Sequence, residues 1–235
     1  MRLRRLVAIA ALATAACRTP AAEQRPAGTA AAAGETATAA GTASTASAAR
    51  LGADSTALRA AADSGRIQGA PAARVWLIMV SDFECPYCKR WHDESYAAIA
   101  RDYVASGRVR AAFLNFPLDQ HEQALPSAEA AMCASAQGKF WQYHTALFET
   151  QDRWGRMSDA RPVYDSLATA VGVDLGRFRS CTGSHVMRAL VEADRERMTR
   201  AGVRSTPSFF IGDQQLAGAL PTAAFRQALD AALAK

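Results

Sequence analysis

Cys85-Pro86-Tyr87-Cys88 is the stretch of this sequence best equipped for chemistry. Two cysteines separated by two residues come within one helical turn of each other when a helix starts between them, close enough to form and reopen a disulfide. Pro86 suits that first turn, because it lacks only an N–H that would stay unpaired there. Cys85 then lies at the mouth of the helix, where free backbone N–H groups and the positive end of the dipole stabilise a thiolate. Cys85 therefore reads as a partly exposed nucleophile and Cys88 as a buried resolving thiol. An inert disulfide and a zinc site are the competing readings. Zinc would want four ligands; His92 lies four residues beyond Cys88, but no second Cys-x-x-Cys exists. Asp82 and Glu84 flank the pair and are candidates for proton transfer to Cys88. As acids before a helix start, they equally suit the dipole alone. His92, His121, His144 and His185 show no metal spacing among themselves and read mostly as surface residues or residues behind the site.

Placing such a pair takes a strand before it and a helix after it. The apolar run Val75-Trp76-Leu77-Ile78-Met79-Val80 predicts a strand over 74–80 buried on both faces, as at the centre of an α/β sheet. A helix is expected from Pro86 to about Ala105, with Gly107 as its stop, and a second strand over 108–116, ended by Pro117. A helical tract comes next. Its pieces open at Pro126-Ser127, run over 139–150 and 162–171 (stopped by Gly172), restart at Asp174, and cover about 184–201. Trp91, Phe140 and Trp141 read as core. Upstream, 54–65 is expected as a short helix and 66–73 as a connector. The last group is a strand over 208–211, a tight turn at Gly212-Asp213, a partner strand over 215–217, and a terminal helix from Pro221-Thr222.

The first fifth of the 235 residues does not look foldable. Met1-Arg2-Leu3-Arg4-Arg5 is a basic start, and Leu6 to Ala16 is apolar but too short to span a bilayer, which together match an export signal. Ala13-Thr14-Ala15-Ala16-Cys17 resembles the cleavage box of bacterial lipoproteins, departing from it at Thr14, where leucine is usual. Lipid on Cys17 would tether the chain to a membrane; ordinary cleavage near Ala15 or Ala16 would leave a free thiol. Residues 18–53 are Ala, Thr, Gly and Ser with a few charges and no aromatic residue, the composition of a disordered tether. The formal charge of +5 includes Arg2, Arg4 and Arg5, and without those three it falls near +2, too little to imply nucleic acid as a partner.

The order strand, Cys-x-x-Cys helix, strand, helical block, Thr206-Pro207, hairpin and final helix resembles the thioredoxin fold with a helical insertion. The sequence is most similar to the DsbA-like family of exported thiol–disulfide oxidoreductases. Asp82-Phe83-Glu84-Cys85-Pro86-Tyr87-Cys88-Lys89 looks like that family's active-site segment. Cys133 to Trp141, Gly202 to Ile211 and Gly218 to Phe225 carry further family signatures. The resemblance implies an α/β domain over 54–235 with an inserted helical subdomain at about 120–201. It also implies a cis peptide at Thr206–Pro207, facing the cysteines, with Pro86, Tyr87, Thr206 and Pro207 as substrate contacts. Counterparts of Cys133 and Cys181 are paired in some relatives, which implies a structural disulfide; two buried thiols are the alternative. No cofactor and no metal are expected. The implied partners are thiols of exported proteins and a redox partner, the latter with no identity legible here. Three activities fit: an oxidant, a reductase or isomerase, and a thioredoxin-like electron donor. A tethered partner-binding module is the non-enzymatic alternative.

Overall fold

The computed structural model describes residues 54–235; the leader, Cys17 and the expected tether over 18–53 lie outside the described residues. Five strands, β1 (Ile67–Gln68), β2 (Val75–Ser81), β3 (Val109–Asn115), β4 (Ser208–Ile211) and β5 (Gln214–Ala217), form one sheet in the order β1-β3-β2-β4-β5. The apolar run of β2 takes the middle, where neighbours on both sides satisfy its backbone. It runs parallel to β3, with Met79 opposite Phe113, and antiparallel to β4, with Met79 also opposite Phe209. β1 corrects the expectation of a plain connector over 66–73. Two residues suffice to pair antiparallel with Ala111 and Ala112 of β3, too short a run to leave a periodic signature.

Helix α1 covers the described residues 54–65. Its end is pressed onto the helical block, so closely that a Cβ on Gly65 would sit 2.6 Å from the Ser135 carbonyl oxygen. Helix α2 (Pro86–Trp91) continues through a π-helical stretch (His92–Tyr96), α3 (Ala97–Ile99) and a second π-helical stretch (Ala100–Val104). The helical run thus has the expected extent, to about Ala105, but two of its stretches are π-helical. The wider turns shift the register of the residues beyond them, and Trp91, Ile99, Tyr103 and Val104 all still reach the core.

Between β3 and β4 stand α4 (Ala124–Ser135), α5 (Phe140–Glu149), α6 (Gln151–Trp154), α7 (Arg161–Ala170), α8 (Leu175–Gly183) and α9 (Arg188–Arg200), and α10 (Thr222–Leu233) closes the domain. Helix α4 begins two residues before Pro126, which still falls in the first turn, where an N–H has no partner to lose. Asp174 caps α8 by accepting the Arg177 N–H at 2.7 Å. Helix α9 starts later than the expected 184, because His185 adopts φ 53°, a left-handed turn that no helix can contain. Helix α6 has no counterpart in the sequence pattern; four residues are too few for one.

Cys133 of α4 and Cys181 of α8 are joined by a disulfide that spans 48 residues. Replacing both with serine should destabilise the protein by about 2–5 kcal/mol, read as a lower denaturant midpoint. A second tie is ionic. Asp194 of α9, fully buried, accepts from the Arg66 guanidinium (Nη2–Oδ1 3.0 Å) and from the Asn115 backbone and side-chain amides at 3.1 Å each. Arg66 also pairs with Asp63. This network pins the helical block to α1 and to the end of β3. Among the described residues, no helix is long and apolar enough to cross a membrane.

Candidate active site

The sheet ends its central strand at Ser81, and the next turn delivers Cys85 to the start of α2. Cys85 is extended (φ −68°, ψ 122°), as the residue before a proline must be. Its N–H bonds the Asp82 carbonyl at 3.2 Å, and its own carbonyl receives the first helical N–H, from Lys89, at 3.1 Å. The Thr206–Pro207 peptide is cis, and the Cys85 thiol points at the Thr206 carbonyl oxygen, 3.6 Å away. Neither Cys85 nor Cys88 is in a disulfide.

Cys85 retains only 3% of its surface and Cys88 1%. Cys85 is thus more covered than its place at a helix mouth suggested, because the Thr206 loop lies against its sulfur. Pro86 and Tyr87 stand outside this cover, Tyr87 being 57% exposed with the Arg90 guanidinium 5.0 Å above its ring. Thr206 and Pro207 are buried, and it is Thr206 whose carbonyl meets the Cys85 sulfur.

The two thiols are driven apart in acidity. Cys85 is lowered to about 6, chiefly by a hydrogen bond with the Cys88 side chain, then by Thr206 and by the N–H groups of Cys88 and Tyr87, with burial opposing. The Thr206 hydroxyl is buried with no other partner, and is the donor that side can offer a thiolate. Cys88 is raised well above the usual thiol value, first by burial and then by its neighbour; Ser81 and the Asp82 backbone offset only part of this. One sulfur is an anion near neutrality while the other keeps its proton.

The flanking acids act as anchors. Asp82 is buried and accepts from the Glu84 N–H (2.8 Å), the Leu118 N–H (3.0 Å) and His121 Nδ1 (2.7 Å). His121 is raised above the ordinary histidine value by that bond to Asp82. Glu84 accepts the Gln123 N–H at 2.6 Å, and burial raises its carboxyl. Both carboxylates thus hold the 118–123 segment against the cysteine turn. The contact from Asp82 to the Cys88 sulfur comes through its backbone. Two further ties had no signal in the sequence. Gln151 of α6 donates from Nε2 to the carbonyls of Phe83 (2.6 Å) and Cys85 (3.1 Å), and Lys89 reaches the Phe148 carbonyl at 3.0 Å.

Of the two readings of the histidines, His92 and His144 take the one behind the site rather than the one at the surface. His144 is buried, with its ring edge-on to Phe83, Phe113 and Phe148, and His92 stacks on Tyr96 and Phe148. Burial lowers both, His144 well below the ordinary 6.5. A histidine held neutral when folded binds fewer protons than when unfolded, so stability is lost as pH falls below about 6.5. His144→Phe should remove the larger part of that acid sensitivity, seen by comparing denaturant midpoints above and below this pH. Among the described residues, no three His, Cys, Asp or Glu side chains gather where they could hold a metal ion.

A family model described as Thioredoxin matches residues 61–231. Among curated proteins, the Na(+)/H(+) antiporter NhaA 1 of Mycolicibacterium gilvum (strain PYR-GCK) is 30% identical over 173 residues, covering 70% of this chain and 26% of that protein. The chain therefore spans about a quarter of the length of the antiporters it matches. Among solved structures, BdbD from Bacillus subtilis in its oxidised form superposes with a TM-score of 0.67 at 19% identity, covering 73% of this chain and 95% of that one. Alpha-DsbA1 of Wolbachia pipientis gives 0.64 at 21% identity, covering 72% and 90%. With a family model matching most of the chain and these superpositions spanning the sheet, the cysteine turn and the helical block alike, the chain belongs to the thioredoxin family and has its DsbA-like fold.

Proposed function

We propose that this chain is an extracytoplasmic thiol–disulfide oxidoreductase that passes its Cys85–Cys88 disulfide to pairs of cysteines in exported proteins. The observation that carries the reading is the split acidity of the two thiols under the Thr206–Pro207 loop. In the oxidised enzyme, a substrate thiolate attacks the Cys85 sulfur, the Cys85–Cys88 bond breaks, and Cys88 departs and takes up a proton. A second substrate thiolate attacks the substrate sulfur of the mixed disulfide and expels Cys85 as a thiolate. Two electrons have moved from substrate to enzyme. A thiolate as stable as that of Cys85 is a good leaving group, and its stability favours the reduced enzyme, which makes the disulfide oxidising.

The export leader motivates the location, and Cys17 the reading of a lipid tether. The antiporter activity named in the curated relatives is not carried over, because the match covers only about a quarter of those proteins. Acid-quench thiol trapping in cells tests the direction: the Cys85/Cys88 pair should be found mainly oxidised. A mainly reduced pair would replace the oxidant with a reductase or electron donor. In vitro, the pair should equilibrate towards the oxidising end of the range from about −270 mV for thioredoxin to about −120 mV for DsbA.

A further inference from the structure

We propose that Gln151, contributed by the helical block rather than by the sheet or α2, is the positioning residue that fixes the Cys85 turn and thereby the reactivity of the Cys85 sulfur. This rests on the redox reading of Cys85 and Cys88 given above. The geometry is that of a two-pronged clamp. The single Nε2 of a buried amide gives one N–H to the Phe83 carbonyl and the other to the Cys85 carbonyl, at 2.6 and 3.1 Å. Those carbonyls belong to alternate residues of the segment that aims the nucleophile.

The rest of that segment is already tied. The Glu84 N–H goes to the Asp82 carboxylate and the Cys85 N–H to the Asp82 carbonyl, while the Cys85 carbonyl also takes the Lys89 N–H. For the Phe83 carbonyl, Gln151 is the side-chain donor. Without it, a buried carbonyl loses its partner, and the peptide plane gains by turning towards any other donor. That plane also carries the Glu84 N–H, so turning it pulls this N–H off the Asp82 carboxylate and loosens the turn that sets Cys85, whose extended ψ of 122° keeps Sγ over the N–H groups of Tyr87 and Cys88. The amide also draws on the Cys85 carbonyl oxygen, a negative partial charge carried by the nucleophile's own residue. Space around α6 is arranged for this approach. Gly155 lies one turn after Gln151, and a Cβ there would stand 3.1 Å from the Gln151 carbonyl oxygen and 3.7 Å from Glu84 Cγ.

The test uses Gln151→Met, which keeps length and shape but has no donor, and Gln151→Glu, which sets a carboxylate against the two carbonyls. The control is Tyr143→Phe, which deletes a buried bond from Tyr143 to the Tyr164 carbonyl (3.1 Å) within the helical block, away from the cysteine turn. The readouts are the ultraviolet thiolate titration of Cys85, its reduction potential and the melting temperature. Both Gln151 variants should have a Cys85 acidity constant roughly tenfold lower, the scale expected from losing one hydrogen bond that favours the charged form, which near pH 6 cuts the thiolate fraction about fivefold. Their disulfides should be correspondingly less oxidising. Tyr143→Phe should lower the melting temperature and leave the titration at the wild-type position.

A wild-type titration in either folded Gln151 variant, with only the melting temperature reduced, overturns the proposal; if Gln151→Met does not fold, Gln151→Glu decides it. The underlying reading fails separately, if the wild-type protein itself forms no reversible Cys85–Cys88 disulfide.

Discussion

Cys88→Ser protein mixed with oxidised glutathione should gain one glutathione and keep it, whereas the wild type should resolve to an internal disulfide and Cys85→Ser should gain none. Ionisation decides which sulfur attacks. At pH 7 an ordinary cysteine of pKa about 8.5 is about 3% thiolate, whereas Cys85, lowered to about 6, is about nine-tenths thiolate. The attack therefore falls to Cys85. It forms a mixed disulfide and releases one glutathione thiolate. In the wild type, Cys88 then gives up its proton and attacks the Cys85 sulfur, releasing the second. Serine in its place can still donate a hydrogen bond to Cys85, so the first step survives and the second cannot occur. Mass spectrometry reads all three products. Rapid glutathione uptake at Cys88 in the Cys85→Ser protein would remove Cys85 from its assigned role.

Asp194→Ala is expected to give the largest loss of stability of any single substitution considered. It leaves the Arg66 guanidinium buried with only the partly exposed Asp63 for a partner, and strips the acceptor from both Asn115 amides. Removing one member of a buried ion pair costs about 3–5 kcal/mol, a fall in melting temperature on the order of 10 °C for a domain of this size. Arg226→Ala breaks the solvent-facing pair with Asp102 and should leave the melting temperature unchanged, since water replaces that contact at little cost. Equal losses in the two proteins, measured by thermal denaturation, would refute the distinction.

How much of the fold is legible in the sequence depends on how locally each feature is encoded. An apolar run of six residues, a cysteine pair before a helix, and Thr-Pro ahead of a hairpin all announce themselves within a short window, and β2, α2 and β4–β5 lie close to where those signals put them. Strand β1 does not, because two residues carry no period and only β3 makes them a strand. Asp194 reads as one more charge on a charged helix. Its burial depends on Arg66, more than a hundred residues away in sequence. Gln151 sits in a four-residue helix, and its two acceptors are backbone atoms, which have no identity in a sequence. The near-complete cover over Cys85 is equally hidden, since it comes from a loop that folds back from the other side of the helical block. Residues that do chemistry are legible by type; those that hold them in place are set by tertiary proximity.

The placement of β4 has a consequence for how this protein is made. β4 must pair with β2 across the entire helical block, so the sheet's central contacts close a very long loop whose entropy is lost before pairing repays it. A chain emerging from synthesis presents Cys85, Cys88, Cys133 and Cys181 in that order, and the Thr206 loop arrives last of all. For that interval Cys85 has neither its cover nor its neighbouring carbonyl, and Cys133 is within reach before its partner has appeared. Newly made protein in an oxidising compartment should therefore pass through non-native pairings involving Cys133, detectable by pulse-labelled trapping, that disappear once β4 docks.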